Sequence, residues 1–371
     1  MPRWFYALLL LTPAALAAGA ARLPPLVVFA VSAASLVPLA WLIGRATEEV
    51  AHHLGPRYGG LLNATFGNTA ELIITALAIH RGLLTLVKAS ITGSIISNTL
   101  FSLGLSLLVG GFRNGRQGFD SRDTSLNAAM MILAVASLYL PAIFASSVRE
   151  HAVIEELSLF IAGVLLVTYA GYVAYTVTQG HSAEDIVPNV GAESGVATAG
   201  ARAAPGGAAS SARAPLWSRR RGLLVLAAAG AGAAISGDLL VDSVEPVIAQ
   251  LGWSELFVGV IIVPLVGNAA EYFSAVQMAW RDRLDVTLSI AAGSSTQVAL
   301  FVAPVLVFLS LALGHPMDVI FTPLELAILG LATAIFAYVS MDGKSNWLEG
   351  MQLLAVYLVA VLAFYFLPVP P

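Results

Sequence analysis

Apolar runs of about twenty residues alternate with short polar gaps along the whole chain. The hydrocarbon core of a bilayer is about 30 Å thick, and a helix needs about 20 apolar residues to cross it. Runs of that kind extend from about Trp4 to Ala21, Leu26 to Ile43, Leu61 to Ile79, Val87 to Val109, Leu126 to Ala145 and Leu157 to Val177. After a polar break they resume at about Leu223 to Ile248, Leu256 to Ala279, Val286 to Leu313, Pro323 to Val339 and Trp347 to Leu367. Period-two alternation is not evident, and lipid forces each backbone group to find its partner inside a helix or a closed barrel. The predicted class is an all-α integral membrane protein with about eleven transmembrane helices.

Composition agrees: 58% of the 371 residues are apolar and 11% charged, with a mean hydropathy of +0.84, against roughly 25% charged in soluble domains. The net charge of -4 argues against a nucleic-acid partner. The chain has no cysteine, which excludes thiolate metal sites and disulfide chemistry. Metal work falls to oxygen and nitrogen. No His-Glu-x-x-His pattern occurs, and His52, His53, His80, His151, His181 and His315 fall at predicted helix ends or in loops, so a non-enzyme without a resident cofactor is expected. The first run, with Arg3, an apolar stretch through Leu11 and small residues from Ala14 to Ala21, also has the layout of a secretory signal. A retained first helix is favoured, because multi-span chains often open on one.

Basic residues fix an expected orientation. Fourteen of the eighteen fall in loops on the amino-terminal side, among them Arg45, Arg57, Arg113, Arg116, Arg281, Arg283 and Lys344. Arg22, Arg81, Lys88 and Arg149 are left for the other side. The positive-inside rule puts the amino terminus and central loop in the cytoplasm and the carboxyl terminus outside.

The chain also contains an internal repeat. Gly67-Asn68-Thr69-Ala70-Glu71 is matched, 200 residues on, by Gly267-Asn268-Ala269-Ala270-Glu271. The register holds for 35 residues, ten of them identical, including Arg81 with Arg281, Gly93-Ser94 with Gly293-Ser294 and Leu100-Phe101 with Leu300-Phe301. Expected units are an N-terminal helix (1–22), a first five-helix repeat (23–178), a flexible cytoplasmic linker rich in Ala, Gly, Ser and Pro (179–221), and a second five-helix repeat (222–371). Five is odd, so the second repeat enters the membrane from the opposite side. Inverted repeats typify secondary transporters, whose sites lie near the bilayer midplane on interrupted helices.

Glu71 and Glu271 both fall deep inside apolar runs, with no Lys or Arg at comparable depth. An ionised carboxylate there costs at least about 2.5–3.5 kcal/mol, which makes a functional site the default expectation. Gly67-Asn68 and Gly267-Asn268, with Pro264 upstream, predict helix breaks that free backbone groups for ligation. On the following helices Ser94, Ser97 and Asn98, and Ser294 and Gln297, are spaced to share a face. Singly, such small polar residues are commonly interhelical glue. The resulting oxygen-rich set, with Glu71 and Glu271 as metal ligands, suits calcium, with manganese as an alternative. Two carboxylates neutralise one divalent ion, and in its absence burial favours their protonated form, so cation and protons compete for the same oxygens. Glu48 and Glu245, related by a similar offset, are candidates for the groups through which cation or proton would enter, one at each mouth; Asp238 and Asp242 are weaker candidates.

The two boxes, from Gly67 to Ile73 and from Gly267 to Glu271, resemble the paired alpha-repeat motifs of the calcium/proton exchangers, a branch of the calcium/cation antiporter superfamily. The segments from Lys88 to Leu100 and from Gly293 to Phe301 resemble the helices that follow those motifs, and the one-plus-five-plus-five layout resembles the family fold over nearly the entire chain. The resemblance implies that Glu71 and Glu271 carry Ca2+ and H+, with Ser94, Asn98, Ser294 and Gln297 around them, and that calcium leaves the cytoplasm at the expense of a proton gradient. Family members often have an acidic stretch in the central loop, where this chain has only Glu184, Asp185 and Glu193. A sodium-coupled calcium exchanger ranks second, since those relatives carry different boxes, and a cation channel ranks lower still. The expected partners are Ca2+, protons and the lipid bilayer, and a homo-oligomer is compatible with them.

Overall fold

The computed structural model describes residues 7–54, 66–145, 150–178 and 217–367, which are almost wholly helical. In chain order the helices are α1 (Leu11–Ala20), α2 (Pro25–Leu54), α3 (Thr69–His80), α4 (Leu84–Asn114), α5 (Ser121–Ala145) and α6 (His151–Thr178). They continue with α7 (Arg219–Leu251), α8 (Glu255–Gly267), α9 (Ala269–Trp280), α10 (Leu284–Ala312), α11 (Pro323–Val339) and α12 (Trp347–Tyr365). Among the described residues seven helices are long and apolar enough to cross a membrane, or eight if α8 and α9, bent by 59° at their break, form one span. The chain is thus a multi-pass membrane protein. Leu8–Ala20, α3 and α11 are shorter apolar helices. The expected run from Leu61 to Ile79 lies partly outside the described residues, as does the linker up to 216.

Helix ends follow local chemistry. Ser218 caps α7 by accepting the Arg221 N–H, and Gly252, left-handed at φ 68°, closes it. Thr322 and Glu325 form a capping box around Pro323 at the start of α11. Hydropathy ends α2 near Ile43, yet the helix continues to Leu54. The reason is charge pairing one turn apart, with Arg45 3.0 Å from Glu49 and 3.8 Å from Glu48.

α2 and α7 run antiparallel, Val50 lying against Gly222 and Leu39 against Gly232. α3 leans on α7, with Ile73, Ile74 and Leu77 gathered around Gly237. At the end of α3, Arg81 pairs with Asp238 at 2.7 Å and also with Asp242. The Asp238 hydrogen bond, opposed by partial burial, pushes the guanidinium pKa further up. All three side chains are at least one-third exposed, so each pair contributes about 0–1 kcal/mol. On the periphery α5 and α6 turn Leu133, Leu140, Phe160, Val164 and Val167 outward, an apolar surface suited to lipid. A two-residue ribbon, β1 (Gln117–Gly118) with β2 (Lys344–Ser345), joins the α4–α5 and α11–α12 connections.

Three helices widen into a π-turn, α4 at Ser97–Ser102, α8 at Val258–Ile262 and α10 at Val298–Val302. The first and third overlap under the 200-residue offset of the repeat, and π-turns often mark functional sites. Next to them α4 and α8 meet backbone to backbone. A Cβ on Gly93 would stand 2.2 Å from the Val260 carbonyl oxygen, and one on Gly259 2.4 Å from Ala89 Cβ. Gly93→Ala is therefore expected to cost about 1–3 kcal/mol and to lower the Tm of the purified protein; an unchanged Tm would mean that the two backbones do not approach so closely.

Candidate functional site

Each copy of the box ends in the same local geometry. Asn68 (φ -96°, ψ 23°) precedes α3 and Asn268 (φ -101°, ψ 15°) precedes α9, both outside the helical range, and each carboxylate then falls in the first turn of its helix. The helix start presents amides and the positive end of the dipole, which suits a carboxylate. The second break is the 59° bend between α8 and α9. At the first, Gly67 and Asn68 form a turn ahead of α3. The two breaks face each other, since a Cβ on Gly267 would lie 3.8 Å from the Cβ of Glu71.

All eight residues expected around the cation are buried: Glu71, Glu271, Asn68, Asn268, Ser94, Asn98, Ser294 and Gln297. Hydrogen bonds between the halves hold most of them. The Asn68 amide donates to Gln297 Oε1 at 3.1 Å, Asn98 to Ser294 Oγ at 3.0 Å and Asn268 to Ser94 Oγ at 3.0 Å. Ser94 in turn donates to Glu71 Oε1 at 2.5 Å, so a continuous path runs from the second box to the first carboxylate. Ser294, its counterpart, accepts from Asn98 instead, and the two carboxylates are thereby made inequivalent.

Oε2 of Glu71 and Oε2 of Glu271 are both buried without a hydrogen-bond partner among the described residues. A buried carboxylate oxygen left unpaired is costly and requires a proton or a cation. The donors suit a hard cation bound through oxygen. No group of three or more His, Cys, Asp or Glu side chains able to hold a metal occurs among the described residues, and the charged side chains where the two breaks meet are Glu71 and Glu271.

Glu48 and Glu245 lie at opposite ends of the bundle but differ in setting. Glu48 is buried near Arg45, with Oε1 unpartnered among the described residues, whereas Glu245 is exposed on α7. Asp238 and Asp242 are accounted for as partners of Arg81. Sequence inspection passed over Glu49, which pairs with Arg45 and accepts the Trp217 N–H at 3.1 Å; His53 Nε2 lies 2.8 Å from the Trp217 carbonyl. These contacts dock the start of the second half onto the end of α2. It also passed over Tyr272, whose hydroxyl lies 2.6 Å from Ser97 Oγ and 3.1 Å from the Pro264 carbonyl. The available signal was a break in the duplication, Leu72 standing opposite Tyr272.

The sequence pattern of the family described as sodium/calcium exchanger protein matches residues 24–178 and 221–366, which includes both boxes. The chain belongs to that family. Among the relatives of this exchanger is a Ca(2+)/H(+) antiporter of Aphanothece halophytica, 40% identical over 370 residues that span 99% of this chain and 97% of the relative. The Ca(2+)/H(+) antiporter ChaA of Bacillus subtilis is 38% identical over 93% of each chain. The solved structure of native YfkE superimposes with a TM-score of 0.81 at 35% identity, covering 98% of the exchanger and 100% of YfkE. The H+/Ca2+ exchanger CAX, at 16% identity and a TM-score of 0.71, shares the fold over 97% of this chain and 87% of its own.

Within the exchanger, Ser94 joins the Asn268 amide to Glu71. Ser94→Ala leaves both without that partner, at a cost of about 1–3 kcal/mol, and should raise the half-saturating Ca2+ concentration at least severalfold in a proteoliposome flux assay. Wild-type half-saturation in that variant would remove Ser94 from the site.

Proposed function

We propose that this chain is a secondary active antiporter that exchanges Ca2+ for H+ across the membrane, with Glu71 and Glu271 binding both in turn. The observation that carries this reading is the pair of unpartnered carboxylate oxygens where two helix breaks face each other inside the bundle. A divalent cation neutralises both carboxylates. When it leaves, two protons restore neutrality, and the site stays free of net charge whichever way it faces. Relatives named Ca(2+)/H(+) antiporters, similar over nearly the full chain, support the choice of ions. Asn68, Asn268, Ser94, Asn98, Ser294 and Gln297 complete the cation's surroundings, and Glu48 and Glu245 serve as access groups. The ions are cargo, and no resident cofactor is assigned.

The architecture we infer is one helix followed by two inverted sets of five, α2–α6 and α7–α12, with α8 and α9 as one broken span. Among the described residues, seven long helices, the bent pair α8–α9 taken as one span and three shorter apolar helices support the eleven that hydropathy predicts. The π-turns at matching offsets and the bonds between the halves support the duplication. The charge bias of the loops supports a cytoplasmic amino terminus and central linker, with the carboxyl terminus outside.

A sodium-coupled reading is favoured by one observation, the family's own description as sodium/calcium exchanger protein. Proteoliposomes loaded at acid pH separate the two. In sodium-free medium, Ca2+ uptake should alkalinise the interior, whereas uptake that needs an outward sodium gradient and leaves internal pH unchanged would replace protons by sodium as the coupling ion. In the same assay Glu71→Gln and Glu271→Gln should each lower exchange by a hundredfold or more, since removing one member of a buried charge set costs about 3–5 kcal/mol. Either variant exchanging at the wild-type rate would overturn the site.

A further inference from the structure

We infer that Tyr272 is the positioning residue of the second helix break, a single hydroxyl that spans the break and holds it in its cation-binding shape. The inference rests on the proposal that Asn268 and Glu271 surround the cation. Tyr272 is buried one residue beyond Glu271. Its hydroxyl can donate to Ser97 Oγ at 2.6 Å or to the Pro264 carbonyl at 3.1 Å. Pro264 belongs to α8, Tyr272 to α9, and Ser97 opens the π-turn of α4. One oxygen therefore gathers the end of one half-helix, the start of the next and the neighbouring helix that carries Ser94. Asn268 and Glu271 lie on the short stretch between the tied points. The Pro264 carbonyl also accepts the Asn268 N–H at 2.9 Å, so the hydroxyl reaches the same backbone group that sets Asn268.

Packing aims the hydroxyl. The ring meets Phe101 edge-on at 5.4 Å and 77°, an arrangement aromatic pairs prefer. The equivalent residue of the first break, Leu72, has an apolar side chain and makes no such tie. The two boxes thus share a motif but differ in how firmly they are held. Without the hydroxyl the bent form becomes one of several accessible arrangements, and apparent affinity falls with the fraction that remains competent.

Tyr272→Phe keeps the ring against Phe101 and removes only the hydroxyl. In Ca2+/H+ flux measured in proteoliposomes, it should raise the half-saturating Ca2+ concentration on the order of three- to tenfold, with the maximal rate changed less than about twofold, as expected for one neutral hydrogen bond. Tyr357→Phe is the control, since Tyr357 touches the same Phe101 ring at 5.2 Å and its hydroxyl has no partner among the described residues. It should leave half-saturation unchanged. Ser97→Ala removes the acceptor and should shift half-saturation in the same direction, and the double variant with Tyr272→Phe should be no weaker than the worse single one. Wild-type half-saturation in Tyr272→Phe, or an equal shift in Tyr357→Phe, overturns the inference. Should Tyr272→Phe fail to fold, wild-type half-saturation in Ser97→Ala overturns it as well. Glu271→Gln measured in parallel separates the two levels. Full exchange in that variant brings down the cation site itself, whereas loss of exchange there with an unshifted Tyr272→Phe brings down only the role of Tyr272.

Discussion

A carboxylate in the middle of a bilayer has to be neutralised, and the rest of this structure is arranged around that requirement. An ionised acid at such depth costs about 2.5–3.5 kcal/mol on insertion scales, and the chain buries two acids where its two helix breaks face each other. Helix starts supply dipole and amides, and Ser94 supplies a hydroxyl to Glu71, but one oxygen of each acid remains without a partner among the described residues. A packed core that satisfied those oxygens permanently would be more stable and would transport nothing. In the mechanism we propose, leaving them for a mobile ion couples the two cargoes, because whatever neutralises the site on one side must be replaced before it turns to the other.

The repeated box supplies the second acid, and departures from the repeat give the two acids different partners. Asn68, Asn268, Ser94 and Ser294 are kept in both copies, yet their partners are not related by the repeat. Ser94 bonds Glu71 and Asn268, while Ser294 bonds Asn98, whose counterpart is Val298. Asn68 bonds Gln297, whose counterpart is Ser97. Ser97 in turn meets Tyr272, opposite Leu72. The breaks are alike in backbone at Asn68 and Asn268 and unlike in side-chain support, which gives the two carboxylates different environments.

Much of this was legible in the sequence because hydrocarbon leaves few ways to satisfy a backbone. The apolar runs and the paired boxes follow from hydropathy and a constant offset, and the four buried polar residues beside the boxes, Ser94, Asn98, Ser294 and Gln297, from their spacing on the following helices. Other features depend on tertiary contacts that a one-dimensional pattern does not carry. α2 outran its apolar stretch because Arg45 pairs with Glu48 and Glu49 on the same helix face. Asp238 and Asp242 read as weaker entry candidates in the sequence, and in the fold Arg81, about 160 residues away, takes both as partners. The π-turns have no hydropathy signature, and Tyr272 reads as one more apolar ring until its hydroxyl is seen to reach Ser97 and Pro264.

In the proposed mechanism calcium and protons occupy the same oxygens. Calorimetric titration of the purified full-length protein with Ca2+ in buffers of different ionisation enthalpy counts the protons released on binding, without any need for transport. Near-neutral or mildly acid pH should show release approaching about two protons per calcium, the charge balance of two protonated carboxylates. Calcium binding at that site with no proton release at any pH would contradict the account.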